Sequence, residues 1–344
     1  MKTYKYILSV VTIAILFAAS CGSDDDRNPN TDSVVFEDAP SFSESFMEAS
    51  GSSVTLITEP TVRYHVANIV DGIFTVTMIE TATDLIFIDV GPDDRFIDIL
   101  PGLPESGGEL RAYANAIGKP LSIIMTHDHF DHWGGMDDFQ DVPVYAHTDV
   151  ATLLMAEDNG NNFRNRYPNA DSVIAVESTL ELGGLTFNFD IIQNSETGEN
   201  SYVYIESLQA VFVADLVYNR AHNYIREYTP LDNTDEIQNW LNGLVVLNEK
   251  FGTYDHIFCG HGGTTTDIPE VIRLNEEYLN IARDLISGDR LLPTGLEAST
   301  NNEVVDELIR LYPIEAEPFY KISGSVFARP GILSPDDPGA AWFE

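Results

Sequence analysis

The 344-residue sequence predicts an α+β fold, and three observations carry that reading. Runs rich in Val, Ile, Phe and Tyr gather into two strand series, one from about residue 60 and one over roughly 172–215. Segments with helical apolar spacing follow each series. Breaks such as Asp71-Gly72 and Gly118-Lys119-Pro120 separate the elements.

In chain order, Lys2 and Lys5 precede the apolar stretch from Ile7 to Ala19, which ends at Ser20-Cys21. Thirteen residues are too few to span a bilayer core of ~30 Å as a helix and suit a signal-peptide core. Cys21 after small residues is similar to a bacterial lipoprotein cleavage site, although Ala18 stands where Leu is usual. The run Gly22-Ser23-Asp24-Asp25-Asp26 resembles the acidic tethers of surface lipoproteins; an ordinary signal peptide with a polar linker is the alternative. Residues 22 to about 50 are Ser-, Asp- and Asn-rich without periodicity and read as a flexible tether. The expected division is a signal peptide over 1–20, a lipidated tether over 21–50, and a catalytic domain over 51–344 with a helical extension.

Strands follow at Val62–Ala67, Ile73–Ile79 and Leu85–Gly91, then a helix near Gly108–Ile117 and a strand at Leu121–Met125. Thr148 is placed to cap a helix reaching about Glu157. Asp158 to Asp171 is too polar for a core element and reads as a loop. Beyond the second strand series, Thr234 to about Lys250 is helical, with Trp240, Leu241, Leu244, Val245 and Leu247 at helical spacing. Tyr254–His261 is a strand ending on a histidine, and helices over about 268–287 and 302–312 precede a Pro- and Gly-punctuated tail.

Directly after Leu121–Met125 stands Thr126-His127-Asp128-His129-Phe130-Asp131-His132-Trp133-Gly134-Gly135. Three imidazoles and a carboxylate this dense at a strand end require a cation to hold them together. Imidazole suits zinc, and carboxylate broadens the choice toward iron or manganese. The pattern resembles the metallo-β-lactamase superfamily signature T-H-x-H-x-D-H-x-G-G, over residues about 60–290. The resemblance implies an αβ/βα sandwich, two sheets face to face with helices outside.

It also implies a ligand set. His127 and His129 match ligands of a first metal, and Asp131 and His132 match ligands of a second. Asp215, at the end of Val211-Phe212-Val213-Ala214, matches the carboxylate that bridges both, with Ala214 in place of the usual Gly. His261 matches the last ligand of the second metal. The third histidine of the first metal is missing; counting back from Tyr202–Ile205 sets Glu196 there, with Glu199 as the alternative. Val217-Tyr218-Asn219-Arg220-Ala221-His222 resembles a segment found in a branch with Glu at this place. Asp89 in Ile88-Asp89-Val90-Gly91 matches a carboxylate that braces the metal loop, or else caps a strand end.

These matches imply a zinc-dependent hydrolase with two ions, whose metal-bound hydroxide attacks an ester, lactone, thioester or amide. Asp131 would orient the nucleophile and pass its proton, and His222 would contact substrate or bound water. A non-catalytic binding lipoprotein and an iron-dependent oxygenase remain as alternatives. Lys and Arg total 18 against 55 Asp and Glu, a net charge of −37. Such a surface repels nucleic acid and anionic membranes, so the expected partner is a small-molecule substrate and the only membrane contact a lipid anchor. The expected location is the outer membrane or cell surface, otherwise the periplasm. With Cys21 acylated, Cys259 is left with no partner for a disulfide.

Mass spectrometry of the mature N-terminus is expected to find a lipid-modified Cys21. A start at another residue, or an unmodified thiol, would show an ordinary leader instead.

Overall fold

The computed structural model describes residues 33–92, 106–156, 163, 167, 173–225, 236–298 and 301–313. The expected leader, the first part of the tether, most of the 158–171 loop and the tail beyond 313 lie outside them. Among the described residues no helix is long and apolar enough to cross a membrane.

The folded region begins earlier than the sequence suggests. Helix α1 (Glu44–Ser50) is capped by Ser43, whose Oγ accepts from Phe46 N, and it ends at Gly51 in the left-handed conformation. Ser43 N and Oγ also donate to the two oxygens of Glu109, at 3.1 and 2.6 Å. Phe42 and Phe46, four residues apart, are buried with Tyr113. Two aromatics among polar residues show no periodicity in the sequence; Phe42 stands just before the Ser43 cap and Phe46 in the first turn of the helix. The tether reading therefore fails from residue 33 onward, since Val34 N already donates to Pro60 O at 2.8 Å.

The first sheet has the order β1 (Ser53–Thr58), β2 (Arg63–Ile69), β3 (Phe74–Glu80), β4 (Leu85–Ile88), β5 (Leu121–Met125), β6 (Val144–His147) and β7 (Ile174–Val176). It is antiparallel from β1 to β4 and parallel from β4 to β7. Edge strand β1 was not foreseen. The first residues of the predicted second series join this sheet as β7. The second sheet runs β13 (Thr264–Thr265), β12 (His256–His261), β11 (Ala210–Tyr218), β10 (Glu199–Ile205), β9 (Leu185–Gln193) and β8 (Thr179–Leu182).

Between the sheets lie Tyr64, Ile86 and Ile124 from one side and Phe187, Val203, Phe212 and Phe258 from the other. Helices α2 (Ser106–Ile117) and α4 (Thr148–Met155) cover the outer face of the first sheet, with Leu110, Tyr113, Val150 and Leu154 inward. The cap of α4 is His147, whose Nδ1 accepts from Asp149 N, and not Thr148. Phe163 and Tyr167 are buried in this layer, with Phe163 against Trp133, so the polar loop reading fails at those two positions. Helices α5 (Glu236–Phe251) and α6 (Ile268–Ser287) pack on the second sheet through Trp240, Leu244 and Leu279, and α7 (Asn301–Leu311) packs on α6, with Leu308 buried in the same cluster. α5 and α6 thus form the outer layer of the αβ/βα sandwich on this side.

The ends of the strands define two poles. At one, His261 Nδ1 donates to Ile73 O and Gly262 N to Gly72 O, joining the β2–β3 turn to the end of β12. The opposite end of seven-residue β2, about 20 Å away at ~3.3 Å per residue, begins at Arg63. There Glu80 accepts from Arg63 Nε, bonds His65 Nε2 and pairs with Lys119 Nζ. Burial opposes the charge of Glu80, but Lys119, His65 and Arg63 hold it below the usual carboxylate range. Arg63 Nη1 also donates to Glu37 O at 2.7 Å, so the incoming chain is fastened at this pole.

Phe46→Ala is expected to cost about 3–5 kcal/mol, as for other buried Phe truncations. Urea unfolding measures it; a change below about 1 kcal/mol would show that residues 33–50 add nothing to the fold.

Candidate metal centre

Six segments bring side chains to one pole. Asp89 follows β4 with φ 60°, and Thr126 with His127 to His129 follows β5. The short helix α3 (Phe130–Trp133) adds Asp131 and His132. The turn between β9 and β10 carries Glu196, β11 carries Asp215, and β12 ends on His261.

The structure brings together the seven residues inferred from the resemblance. His127, His129, Glu196 and Asp215 form one group, and Asp131, His132, Asp215 and His261 a second, each with its donor atoms within 4.8 Å of one another. Asp215 belongs to both. Glu199, the alternative to Glu196, accepts instead from Gln193 Nε2 at 3.1 Å and joins neither group.

Neighbouring side chains set which ring nitrogen faces the centre. Asp89 Oδ1 accepts from Thr126 N at 2.9 Å, and its Oδ2 from Thr126 Oγ1 at 2.7 Å and His132 Nδ1 at 2.8 Å. With its proton on Asp89, Thr126 Oγ1 accepts from His127 Nδ1 at 3.0 Å. His261 Nδ1 donates to Ile73 O at 2.6 Å. The Nε2 atoms of His127, His132 and His261 therefore face the centre, as the ligating nitrogens of metal-binding imidazoles do. The bracing role expected of Asp89 is visible in these distances.

Sequence reasoning gave no role to two further residues. Asn200 Nδ2 donates to Glu196 Oε2 at 2.9 Å, and Tyr218 Oη to Asp215 Oδ2 at 2.8 Å. Tyr218 also stacks on His261, with ring centroids 4.8 Å apart and planes 2° from parallel. Asn200 has only a short spacing after Glu196 as its signal, whereas Tyr218 lies in the Val217–His222 segment already singled out. Gly260 is required beside Asp215, because a Cβ there would collide with Asp215 Oδ1.

Several buried atoms at this pole make no hydrogen bond: His127 Nε2, His132 Nε2, Glu196 Oε1 and Asp215 Oδ1. His132 Nε2 nevertheless lies 3.1 Å from Asp215 Oδ1, and His129 Nδ1 lies 3.1 Å from Glu196 Oε1. Buried polar atoms left without a partner, as at His127 Nε2, cost free energy unless a cation lies among them. The donor set of four imidazoles and three carboxylates fits two divalent ions.

Electrostatics point the same way. Burial and the neighbouring imidazoles press His127 well below the usual range. Burial acts against the protonated forms of His132 and His261 too, but Asp215 and Asp131 outweigh it and raise His261 to about 10. Burial raises Glu196 to about 7, opposed by His129. Burial acts against ionised Asp215 as well, and His261 and His132 overcome it, holding Asp215 well below the carboxylate range.

His222 is brought to neither group. It is buried, its Nδ1 lies 3.0 Å from Tyr278 Oη, and burial lowers its pKa to about 4. Tyr224 is edge-on to His129, with centroids 5.7 Å apart. Cys259 is buried and its thiol pKa is raised by burial, which suits packing and not nucleophilic attack.

A family model, that of the metallo-beta-lactamase superfamily, matches residues 71–261. The chain belongs to that superfamily and is a metallo-hydrolase. It is 28% identical over 191 residues to a Bacillus subtilis protein named "Probable metallo-hydrolase YqgX", covering 52% of this chain and 85% of that one. A "Probable metallo-hydrolase" of Streptococcus pyogenes is 26% identical over 189 residues, 51% of this chain and 77% of its own length. Among solved structures, a metallo-beta-lactamase from Pontibacter korlensis gives a TM-score of 0.48 at 19% identity, over 67% of this chain and 99% of that chain.

Metal and protons compete for these donors. A Glu196 carboxyl raised to about 7 holds its proton below that pH and must release it for metal to bind. Affinity at the first group is expected to fall roughly tenfold per pH unit below 7, one proton being displaced, and to level off above it. His261, raised to about 10, makes affinity at the second group climb further with pH. Zinc titrations against a chromophoric chelator between pH 6 and 9 check this: Glu196→Ala should abolish the lower inflection and Glu199→Ala should keep it.

Proposed function

We propose that this protein is a two-zinc hydrolase that cleaves an ester, lactone, thioester or amide of a small molecule. The observation that carries the reading is Asp215, a buried carboxylate shared by two donor groups at one pole. Two zinc ions, when bound, would acidify a water toward ~pH 7 and polarise a carbonyl.

The protein's own residues would do the rest. Asp215 sets the spacing of the two groups, kept ionised by His132 and His261. Burial opposes ionised Asp131 as well, but His132 and His261 keep its pKa lowered, which leaves it free to accept a proton. Its Oδ2 lies 3.4 Å from His261 Nε2 and 3.8 Å from His132 Nε2. In the proposed reaction a water oxygen attacks the substrate carbonyl carbon and the bond to the leaving group breaks. Asp131 takes the water's proton and hands it to the leaving group. Tyr224 forms an aromatic wall beside His129, on the loop that neutral His222 holds against Tyr278.

The second part of the proposal is location: an exported protein, held by a lipid on Cys21 at the outer membrane or cell surface. The leader-like segment with its terminal cysteine supports it.

Elemental analysis after purification without added metal, with a screen of lactone, thioester, ester and β-lactam substrates, tests the reading. The expected result is close to two equivalents of zinc and turnover of one class. Iron in place of zinc would move the first group, two imidazoles with Glu196 and the shared Asp215, toward oxygen chemistry. Asp131→Asn should lower turnover at least ~10²-fold with metal retained; a wild-type rate at full metal content would remove Asp131 from the proton path.

A further inference from the structure

The stretch of β11 that carries Asp215 is not regular. Against β12, Ala214 pairs with Cys259 and Tyr218 with His261, so four steps on one strand face two on the other. Ala214 has φ 44° at the start of this bulge. The bulge turns Asp215 toward both donor groups, but it leaves residues 215–217 without a register partner on β12, and β10 pairs with β11 only over 210–212, so the outer side of Tyr218 has no strand beside it. Buried backbone polar groups must find partners elsewhere.

Helices of the outer layer supply them. Trp240 Nε1, on α5, donates to Leu216 O at 2.8 Å. Asn275, on α6, meets both backbone groups of Tyr218: its Oδ1 accepts from Tyr218 N at 3.0 Å and its Nδ2 donates to Tyr218 O at 2.8 Å. The carboxamide stands in for the missing peptide of a neighbouring strand, with one donor and one acceptor at the same spacing. Its remaining capacity is also used, Nδ2 on Val271 O and Oδ1 from Asn223 Nδ2. Asn275 is buried, and it lies beyond residues 71–261 that match the superfamily.

We infer that Asn275 is a positioning residue for the metal centre, acting on Asp215 through Tyr218. By holding the Tyr218 backbone it fixes the ring that stacks on His261 and aims Oη at Asp215 Oδ2. Through Asn223 it also holds the loop that bears Tyr224. Aspartate lacks the donors and leucine lacks both functions, so asparagine or a close mimic is needed.

The inference rests on the metal-centre reading, and the test separates the two. The full chain is loaded with cobalt, and its visible spectrum and release rate to a chelator are measured. The variants are Asn275→Ala, Asn275→Asp, Tyr218→Phe, the Asn275→Ala/Tyr218→Phe double, and Leu308→Ala as a core-destabilised control. Asn275→Ala should lose one of two equivalents about 10-fold faster or more, the scale seen for residues that orient metal ligands, with an altered spectrum. Tyr218→Phe should do likewise, and the double should be little faster than the faster single, because both act on one link. Leu308→Ala should lower Tm while leaving release and spectrum unchanged. A folded Asn275→Ala with wild-type release and spectrum overturns the inference, as do multiplicative effects in the double or equal effects in Leu308→Ala. Should Asn275→Ala not fold, Asn275→Asp, which keeps the acceptor, is read the same way. Loss of fold in both, with Leu308→Ala folded, assigns Asn275 to stability alone and also overturns it. A wild-type chain that takes up no cobalt overturns the metal-centre reading instead.

Discussion

Ionisable side chains that converge across a buried gap impose the constraint on which this structure depends. His132 Nε2 and Asp215 Oδ1 stand 3.1 Å apart, both buried and neither with a hydrogen bond. Here Asp89 turns the proton of His132 outward, and Tyr218 and His261 hold the other oxygen of Asp215. The fold thus spends stability to keep donors converged, a cost that a bound cation returns.

The sandwich explains how so many elements can meet. Strand ends from two sheets are rigid and close together, and their loops need only short excursions to reach the centre. The first sheet contributes the cluster after β5 and the brace after β4; the second contributes Glu196, Asp215 and His261. Binding two sheets at one pole means that each metal group also joins the halves of the domain. The carboxylate of Glu196, where a third imidazole is usual, brings a buried anion and so needs its own support, which Asn200 supplies.

Much of this was legible in the residues. The histidine cluster names its own chemistry because no ordinary surface turn needs three imidazoles in six positions. Asp215 and His261 were legible only behind that cluster, by their places at strand ends. Glu196 was reached by counting back from Tyr202–Ile205, and the turn does point it inward while Glu199 faces Gln193. What stayed hidden was support contributed from a distance. Asn275 acts 60 residues after Asp215 through backbone atoms, and a lone asparagine on an amphipathic helix carries no pattern. Phe42 and Phe46 were hidden by their polar neighbours, and Phe163 and Tyr167 by theirs. In each case the partner, not the local sequence, decides burial.

The fastening of the incoming chain has a mechanical side. Val34 bonds Pro60, and Arg63 grips Glu37 beside Glu80 and Lys119, at the pole away from the histidines. A pull or a bulky fusion applied at residue 33 loads that clamp first, along β2 and its ion pairs. The metal loops sit at the far end of the lever and feel little of it.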